Sequence, residues 1–379
     1  MIQRTLFTEE HTLFKNAVRD FFQKEIVPFH DQWEQDGQVS REAWLKTGEA
    51  GFLCTSMPVE YGGSDSDFIY SAILMEELAK TGCNGPGFSL HSDIVAPYIL
   101  HYGTEDLKKT WLPKMARGEA IGAIAMTEPS AGSDLQGIKT TAVKQGDYYI
   151  VNGSKTFITN GYMSDIMVVA VKTDLEAKHQ GISLLLMDAK MKGFTKGKPL
   201  KKIGMKAQDT CEFFFDNVKV PQSNLLGKEG EGFMYMMQEL PQERLLVGII
   251  GLALAEAAFE KTVDYTKQRN VFGKPVAAFQ NTRFTLAELA TEMQICRVFI
   301  DKCIELHLKK ELDIPTAAMV KYYTTDLQCK VVDECLQFHG GYGYMWDYFI
   351  ARAYADSRVQ KIYAGSNEIM KEIISRSIF

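Results

Sequence analysis

The sequence predicts an α+β chain in three parts: a helical part, a β part, and a second helical part. Three observations carry that expectation. Apolar residues recur at helical spacing through the first third of the chain. From Ile121 they give way to short β-branched and aromatic runs separated by turn residues. After Gly230 the helical period returns and persists to the end. At 379 residues the chain is longer than one hydrophobic core usually serves, and the changes of period divide it at 1–120, 121–230 and 231–379.

In the first part, Thr8 offers a capping hydroxyl and Glu9 and Glu10 place carboxylates where a helix dipole favours them. Leu13, Phe14, Ala17, Val18, Phe21, Phe22 and Ile26 then share one face before Pro28. Further helices are expected to begin near Ser40, Asp67 and Thr104 and to close at Gly51, Gly82 and Gly118. Glu60-Tyr61-Gly62-Gly63 and Asn84-Gly85-Pro86-Gly87 read as links.

Strands are expected at 121–126, 138–143, 148–151, 166–171, 181–188 and 211–220, with Asn152-Gly153 and Asn160-Gly161 as turns. They suit a compact β domain of about 100 residues. Four or five long helices follow at 233–269, 281–310, 315–339 and 348–377, with lengths that suit a bundle. No internal repeat or low-complexity tract interrupts the order.

Composition removes several function classes. A 46% hydrophobic, 24% charged chain is ordinary for a globular protein, and a net charge of -6 argues against general nucleic-acid binding. No uncharged apolar run reaches the ~18 residues needed to cross a bilayer, so no integral membrane contact is expected. The start MIQRTLFTEEH lacks the apolar core of a signal peptide and the acid-poor, Arg-rich make-up of a transit peptide. The expected compartment is a bacterial cytoplasm, or a mitochondrial matrix for a processed eukaryotic chain. Seven cysteines without a C-x-x-C pair read as reduced, mostly buried thiols, and seven histidines without ligand spacing predict no metal site.

The stretch Glu239-Leu240-Pro241-Gln242-Glu243-Arg244-Leu245-Leu246 opens a long apolar helical run whose interior, up to Phe259, holds one charge, Glu256. A carboxylate at that entrance sits between water and a low-dielectric interior, where desolvation raises its pKa and makes it a better base. Pro241 lacks an amide hydrogen and is expected to kink the helix and aim Glu243 into a cavity. The same residues also suit the charged start of a buried helix. The loop MTEPSAGSD offers hydroxyls and backbone amides to a polar ring or a phosphate, or simply makes a turn. Arg269-Asn270-Val271-Phe272-Gly273 could hold a diphosphate or end a helix with a cation, and Gln337-Phe338-His339-Gly340-Gly341 could admit a ligand or cap a helix. The six lysines between residues 192 and 206 read as solvated surface. Neither G-x-G-x-x-G nor a Walker motif is present, so any nucleotide must be held by another architecture.

The ordered set MTEPSAGSD, KTFITNG, QERLL, RNVFG, QFHGGYGY and IYAGSNEIMKEI resembles the acyl-CoA dehydrogenase family from end to end. Within it, ELPQERLL, KAQDT, GYMWDY and AGSNEIMKE are most similar to the long-chain members. The resemblance implies an N-terminal helical domain, a central β-barrel-like domain and a C-terminal four-helix bundle, assembled as a homotetramer. It also implies FAD bound without a Rossmann motif. Ile124, Ala125, Met126 and Thr127, with Phe157, Ile158 and Thr159, would line the flavin ring, and Ser133 would touch flavin and substrate. Arg269, Phe272 and Gln280 would hold the diphosphate and adenosine end, joined by Gln337, Phe338, Gly340 and Gly341, with the glutamine and glycines coming from another subunit. Ser366, Asn367 and Glu368 would complete the cofactor site, while Tyr235, Arg244, Ala364 and Gly365 would meet the acyl-CoA substrate.

The implied chemistry is removal of a thioester α-proton by a base and of a β-hydride by the flavin, with electrons passed to an electron-transfer flavoprotein. Most of the family carries the base after the tyrosine of a Y-E-G-T-like motif, which here is Tyr363-Ala364-Gly365-Ser366. Alanine accepts no proton. Long-chain and isovaleryl members carry it on the first bundle helix, at the position of Glu243, which the resemblance therefore makes the base. The amide of Ala364 survives the replacement and would polarise the thioester together with a flavin ribityl hydroxyl. An isovaleryl-type dehydrogenase and a non-catalytic acyl-CoA-binding relative are the competing expectations.

Overall fold

The computed structural model describes residues 2–177 and 179–379. Its first part holds α1 (Glu9–Glu25), α2 (His30–Asp36), α3 (Arg41–Glu49) and α4 (Phe68–Thr81). A π-helical turn, Leu90–Val95, then runs directly into α5 (Ala96–Tyr102), followed by α6 (Glu105–Ala116). Thr8 closes the expected cap: its Oγ1 accepts the His11 N–H, and His11 Nδ1 accepts the Thr8 N–H. Gly82 ends α4 in the left-handed conformation. The helical stretch from Leu90 to Tyr102 was not expected. It is buried on nearly every side, so it carries no polar stripe to mark a period, and Pro97 sits in the first turn of α5, where a helix tolerates it.

The β part is one eight-stranded sheet. Its strands are β1 (Gly122–Ala125), β2 (Thr141–Gln145), β3 (Tyr148–Thr159), β4 (Ile166–Lys172), β5 (Ile182–Asp188), β6 (Phe194–Lys196), β7 (Thr210–Pro221) and β8 (Leu225–Leu226). The order is β6-β7-β3-β2-β4-β5-β8, with β1 parallel beside β4. β2 and β4 meet through a single pair, Thr141 and Lys172. Along β4, Met167, Val169 and Val171 face one core with Tyr149 and Phe213, while Ile166, Val168 and Ala170 face another with Tyr98 and Leu112. Both faces are covered, which is why the strand reads as an unbroken apolar run.

Asn152-Gly153 is not a turn. β3 runs through it with a bulge, because a Cβ on Gly153 would come within 2.5 Å of Thr140 Oγ1 and its φ of +145° excludes ordinary residues.

The last part holds α7 (Gly232–Gln268), a hairpin of β9 (Asn270–Val271) and β10 (Lys274–Pro275), then α8 (Gln280–Leu308), α9 (Ile314–His339), α10 (Phe349–Ser357) and α11 (Asn367–Arg376). α7 continues through Pro241 for 37 residues. The helix expected over 348–377 is interrupted: Ala364 and Gly365 have φ of +51° and +87°, which no right-handed helix accommodates.

α4 packs into the bundle, its Ile69 and Ile73 sharing a core with Leu246 and Ile249 of α7. Glu76 of α4 is buried between Arg4 (2.8 Å) and Arg297 of α8 (2.7 Å). Burial opposes its charge, yet the two guanidiniums outweigh that and draw its carboxyl down to about 2.

Candidate active site

The sheet, α4, the π-helical turn and α7 enclose a cavity with about 1490 Å³ of atom-free space, counting its open mouth. One wall is Ile124, Met126 and Thr127 from the end of β1, with Phe157, Ile158 and Thr159 from the end of β3. The other is Leu74, Met75 and Leu78 of α4, Leu90, Ser92, Asp93 and Ile94 of the π turn, and Glu243, Leu246, Val247 and Ile250 of α7. The last four are spaced i, i+3, i+4, i+7, one helical face with the carboxylate at its N-terminal end. Strand alternation sorts these residues: Ile124 and Met126 face the cavity, while Ala125 between them turns its side chain into the sheet's other core.

Glu243 is 6% exposed. Burial pushes its carboxyl up to about 7, and nearby Glu239 adds to that. The Tyr98 hydroxyl, donating to Oε1 at 3.1 Å, pulls the other way, as does the charge of Arg244. Tyr98 is fully buried and its own pKa is raised well above the ordinary value, so it remains a donor. Arg244 is buried outside the cavity wall, and its Nε and Nη1 have no hydrogen-bond partner among the described residues. It acts on Glu243 through charge alone.

Ala364 lines the same cavity, and its N–H has no partner among the described residues. Lys321 holds the neighbouring turn by donating to the Gly365 carbonyl at 2.7 Å and to Asn367 Oδ1 at 2.9 Å. The side chain of Asn367 is thereby committed to the protein, bonding also to Thr325 and Asp326. Ser366 caps α11, and Glu368 is exposed in its first turn. Phe157 also has positive φ, +59°, so strained non-glycine backbone collects on this cavity.

The MTEPSAGSD loop is anchored by a pair the sequence did not reveal. Lys155 Nζ meets Glu128 Oε1 at 2.8 Å with both side chains buried, and the same carboxylate accepts the N–H groups of Lys139 and Thr140. Ser133, beyond that anchor, is exposed. Tyr235 does not line the cavity. It stacks on Tyr102 at 4.1 Å and donates to Glu231.

Arg269 lies in a separate cleft with Gln337, Phe338, Gly340 and Gly341 of its own chain. The glutamine and glycines therefore reach Arg269 without a second subunit, contrary to expectation, because the end of α7 packs beside the end of α9. No carboxylate pairs with Arg269 among the described residues. A free guanidinium beside glycine backbone fits a diphosphate, and the apolar cavity with Thr127 and Thr159 fits a flavin ring. Phe272 is 96% exposed at the turn of the β9–β10 hairpin, and Gln280 opens α8. Among the described residues, no group of His, Cys, Asp or Glu could hold a metal ion, and no helix is long and apolar enough to cross a membrane.

Three family models match in succession: the acyl-CoA dehydrogenase N-terminal domain over residues 8–119, the middle domain over 123–218 and the C-terminal domain over 230–379. The chain is 52% identical over 377 residues to the mitochondrial long-chain specific acyl-CoA dehydrogenase of Rattus norvegicus, covering 99% of this chain and 88% of the relative. A crystal structure of an acyl-CoA dehydrogenase from Geobacillus kaustophilus superposes with a TM-score of 0.98 at 52% identity, covering 99% of this chain and all of that one. An acyl-CoA dehydrogenase from Bacillus anthracis, solved in complex with FAD, superposes with a TM-score of 0.92 at 29% identity over 98% of this chain and 68% of its own.

Proposed function

The chain belongs to the acyl-CoA dehydrogenase family of FAD-dependent oxidoreductases, and from that premise we propose that it converts a medium- or long-chain fatty acyl-CoA to the trans-2-enoyl-CoA in β-oxidation. Glu243 is the base. The observation that carries this reading is a buried carboxylate brought to about 7 on the wall of the cavity that also holds Thr127, Thr159 and Ala364. Bound FAD supplies the acceptor for the β-hydride. Glu243 takes the α-proton at a site that the bound acyl chain closes to water, and its near-neutral pKa keeps a useful fraction ionised at neutral pH. The unpartnered Ala364 N–H donates to the thioester carbonyl as negative charge develops there. The apolar face Leu246, Val247 and Ile250 receives the acyl chain.

The cavity and the Arg269 cleft share no lining residue. That supports an assembly, a homotetramer by analogy with the family, in which one copy holds the flavin ring and another the diphosphate. Electrons leave to an electron-transfer flavoprotein.

A Glu243→Gln holoenzyme is expected to keep its flavin and bind acyl-CoA while losing about 10²–10⁴-fold in turnover. Turnover near wild type would overturn the assignment. Anaerobic flavin bleaching by straight acyl-CoAs of increasing length, beside isovaleryl-CoA, reads out the substrate. Bleaching that peaks with a long straight chain is expected, and a peak at isovaleryl-CoA would overturn the chain class.

A further inference from the structure

α-Proton abstraction uses Glu243 and leaves a second buried carboxylate on the same cavity without a task. Asp93 sits in the π-helical turn, a conformation rare in proteins and concentrated at functional sites. Its backbone carbonyl accepts from Gln242 Nε2 at 2.6 Å, which fastens the turn to α7 one residue before the base. Asp93 lines the cavity and is 6% exposed. Ser71 Oγ donates to Oδ1 at 2.6 Å, and Thr55 Oγ1 lies 3.5 Å from that serine. Oδ2 has no partner, and no lysine or arginine answers the carboxyl, among the described residues. Leu74, Met75, Leu246 and Val247 line the same cavity, beside the polar Thr55, Ser89 and Ser92.

An alkyl chain drawn over this wall would strip water from the free oxygen and return nothing. A site with a buried polar group of this kind rejects a ligand that leaves it unpaired. A hydroxyl at that depth would replace the lost water. Burial brings the Asp93 carboxyl to about 7, so it is able to accept from such a hydroxyl or donate to it. We propose that Asp93 is a specificity-determining residue: its free carboxyl oxygen binds a hydroxyl borne on the acyl chain, and the tunnel selects hydroxylated fatty acyl-CoAs over fully apolar chains of equal length. The assignment rests on acyl-CoA being the ligand of this cavity.

The test measures dissociation constants on Glu243→Gln holoenzyme, in which the thioester persists. The probes are palmitoyl-CoA and monohydroxypalmitoyl-CoA isomers with the hydroxyl moved along the chain. At least one isomer is expected to bind about tenfold or more tightly than palmitoyl-CoA. Adding Asp93→Leu should abolish that preference and tighten palmitoyl-CoA. Should the leucine variant fail to retain flavin, Asp93→Ala takes its place. Palmitoyl-CoA equalling or beating every isomer overturns the proposal, as does a preference that survives without Asp93. Wild-type enzyme that no thioester bleaches would instead overturn the dehydrogenation itself, and the ratio of constants would still decide the role of Asp93. If no thioester binds at all, both readings fall.

Discussion

Replacing Tyr98 by phenylalanine isolates what tunes the base. The Tyr98 hydroxyl donates to the Glu243 carboxylate in a buried site, and this bond stabilises only the ionised form to that extent. Hydrogen bonds to charged groups contribute about 1.5–3 kcal/mol, and one pKa unit corresponds to about 1.4 kcal/mol. At 3.1 Å the bond is long for an O–H donor, so the lower end applies and the shift is about one unit. Losing the donor disfavours the carboxylate, so the Glu243 pKa rises from about 7 to about 8. At pH 7 the ionised fraction then falls from about one half to about one tenth, a loss of about fivefold in the rate of flavin reduction. Above pH 9 the carboxylate is ionised in both proteins, and the rates should converge. Stopped-flow bleaching with one saturated acyl-CoA across pH 5.5 to about 9.5 measures this. An unmoved acid limb, a limb displaced to lower pH, or a loss equal at every pH would refute the argument.

Two further substitutions probe the walls. Lys155→Met leaves Glu128 buried without its cation, which costs about 3–5 kcal/mol, and should lower both the flavin-to-protein absorbance ratio and Tm. Adding Glu128→Gln should recover part of the stability, and equal stability of wild type and Lys155→Met would show that the pair holds nothing. Gly87→Ala puts a Cβ 2.1 Å from Asn160 Oδ1, so Asn160 must leave its bonds to the Gly87 and Gly122 carbonyls and drag the adjacent Thr159. Weaker FAD affinity is expected on titration of the apoprotein, and unchanged affinity would free Thr159 from that role.

How far the site was legible follows from which forces are local. The helical, β, helical order reflects side-chain period, and period is a property of neighbouring residues. The Thr8 cap and the left-handed Gly82 were legible for the same reason, since each acts within one turn. Glu243 stood out at the entrance of a long apolar run, a position that equally suits the charged start of a buried helix, and the family resemblance named its role. The stretch from Leu90 to Tyr102 could not be picked out, because burial on all sides erases the periodic signal. Tyr98 and Asp93 were missed with it, although both meet the neighbourhood of the base.

The sequence by itself determined the helical, β, helical order and that a carboxylate stands at the head of a long apolar run. Only the tertiary structure decided how that carboxylate is tuned. Its hydrogen-bond donor lies 145 residues away in the chain, and the buried Lys155–Glu128 pair joins residues 27 apart across the sheet. Desolvation, ion pairing and cavity shape depend on distances in space, and a one-dimensional pattern carries no record of those until the chain has closed around them.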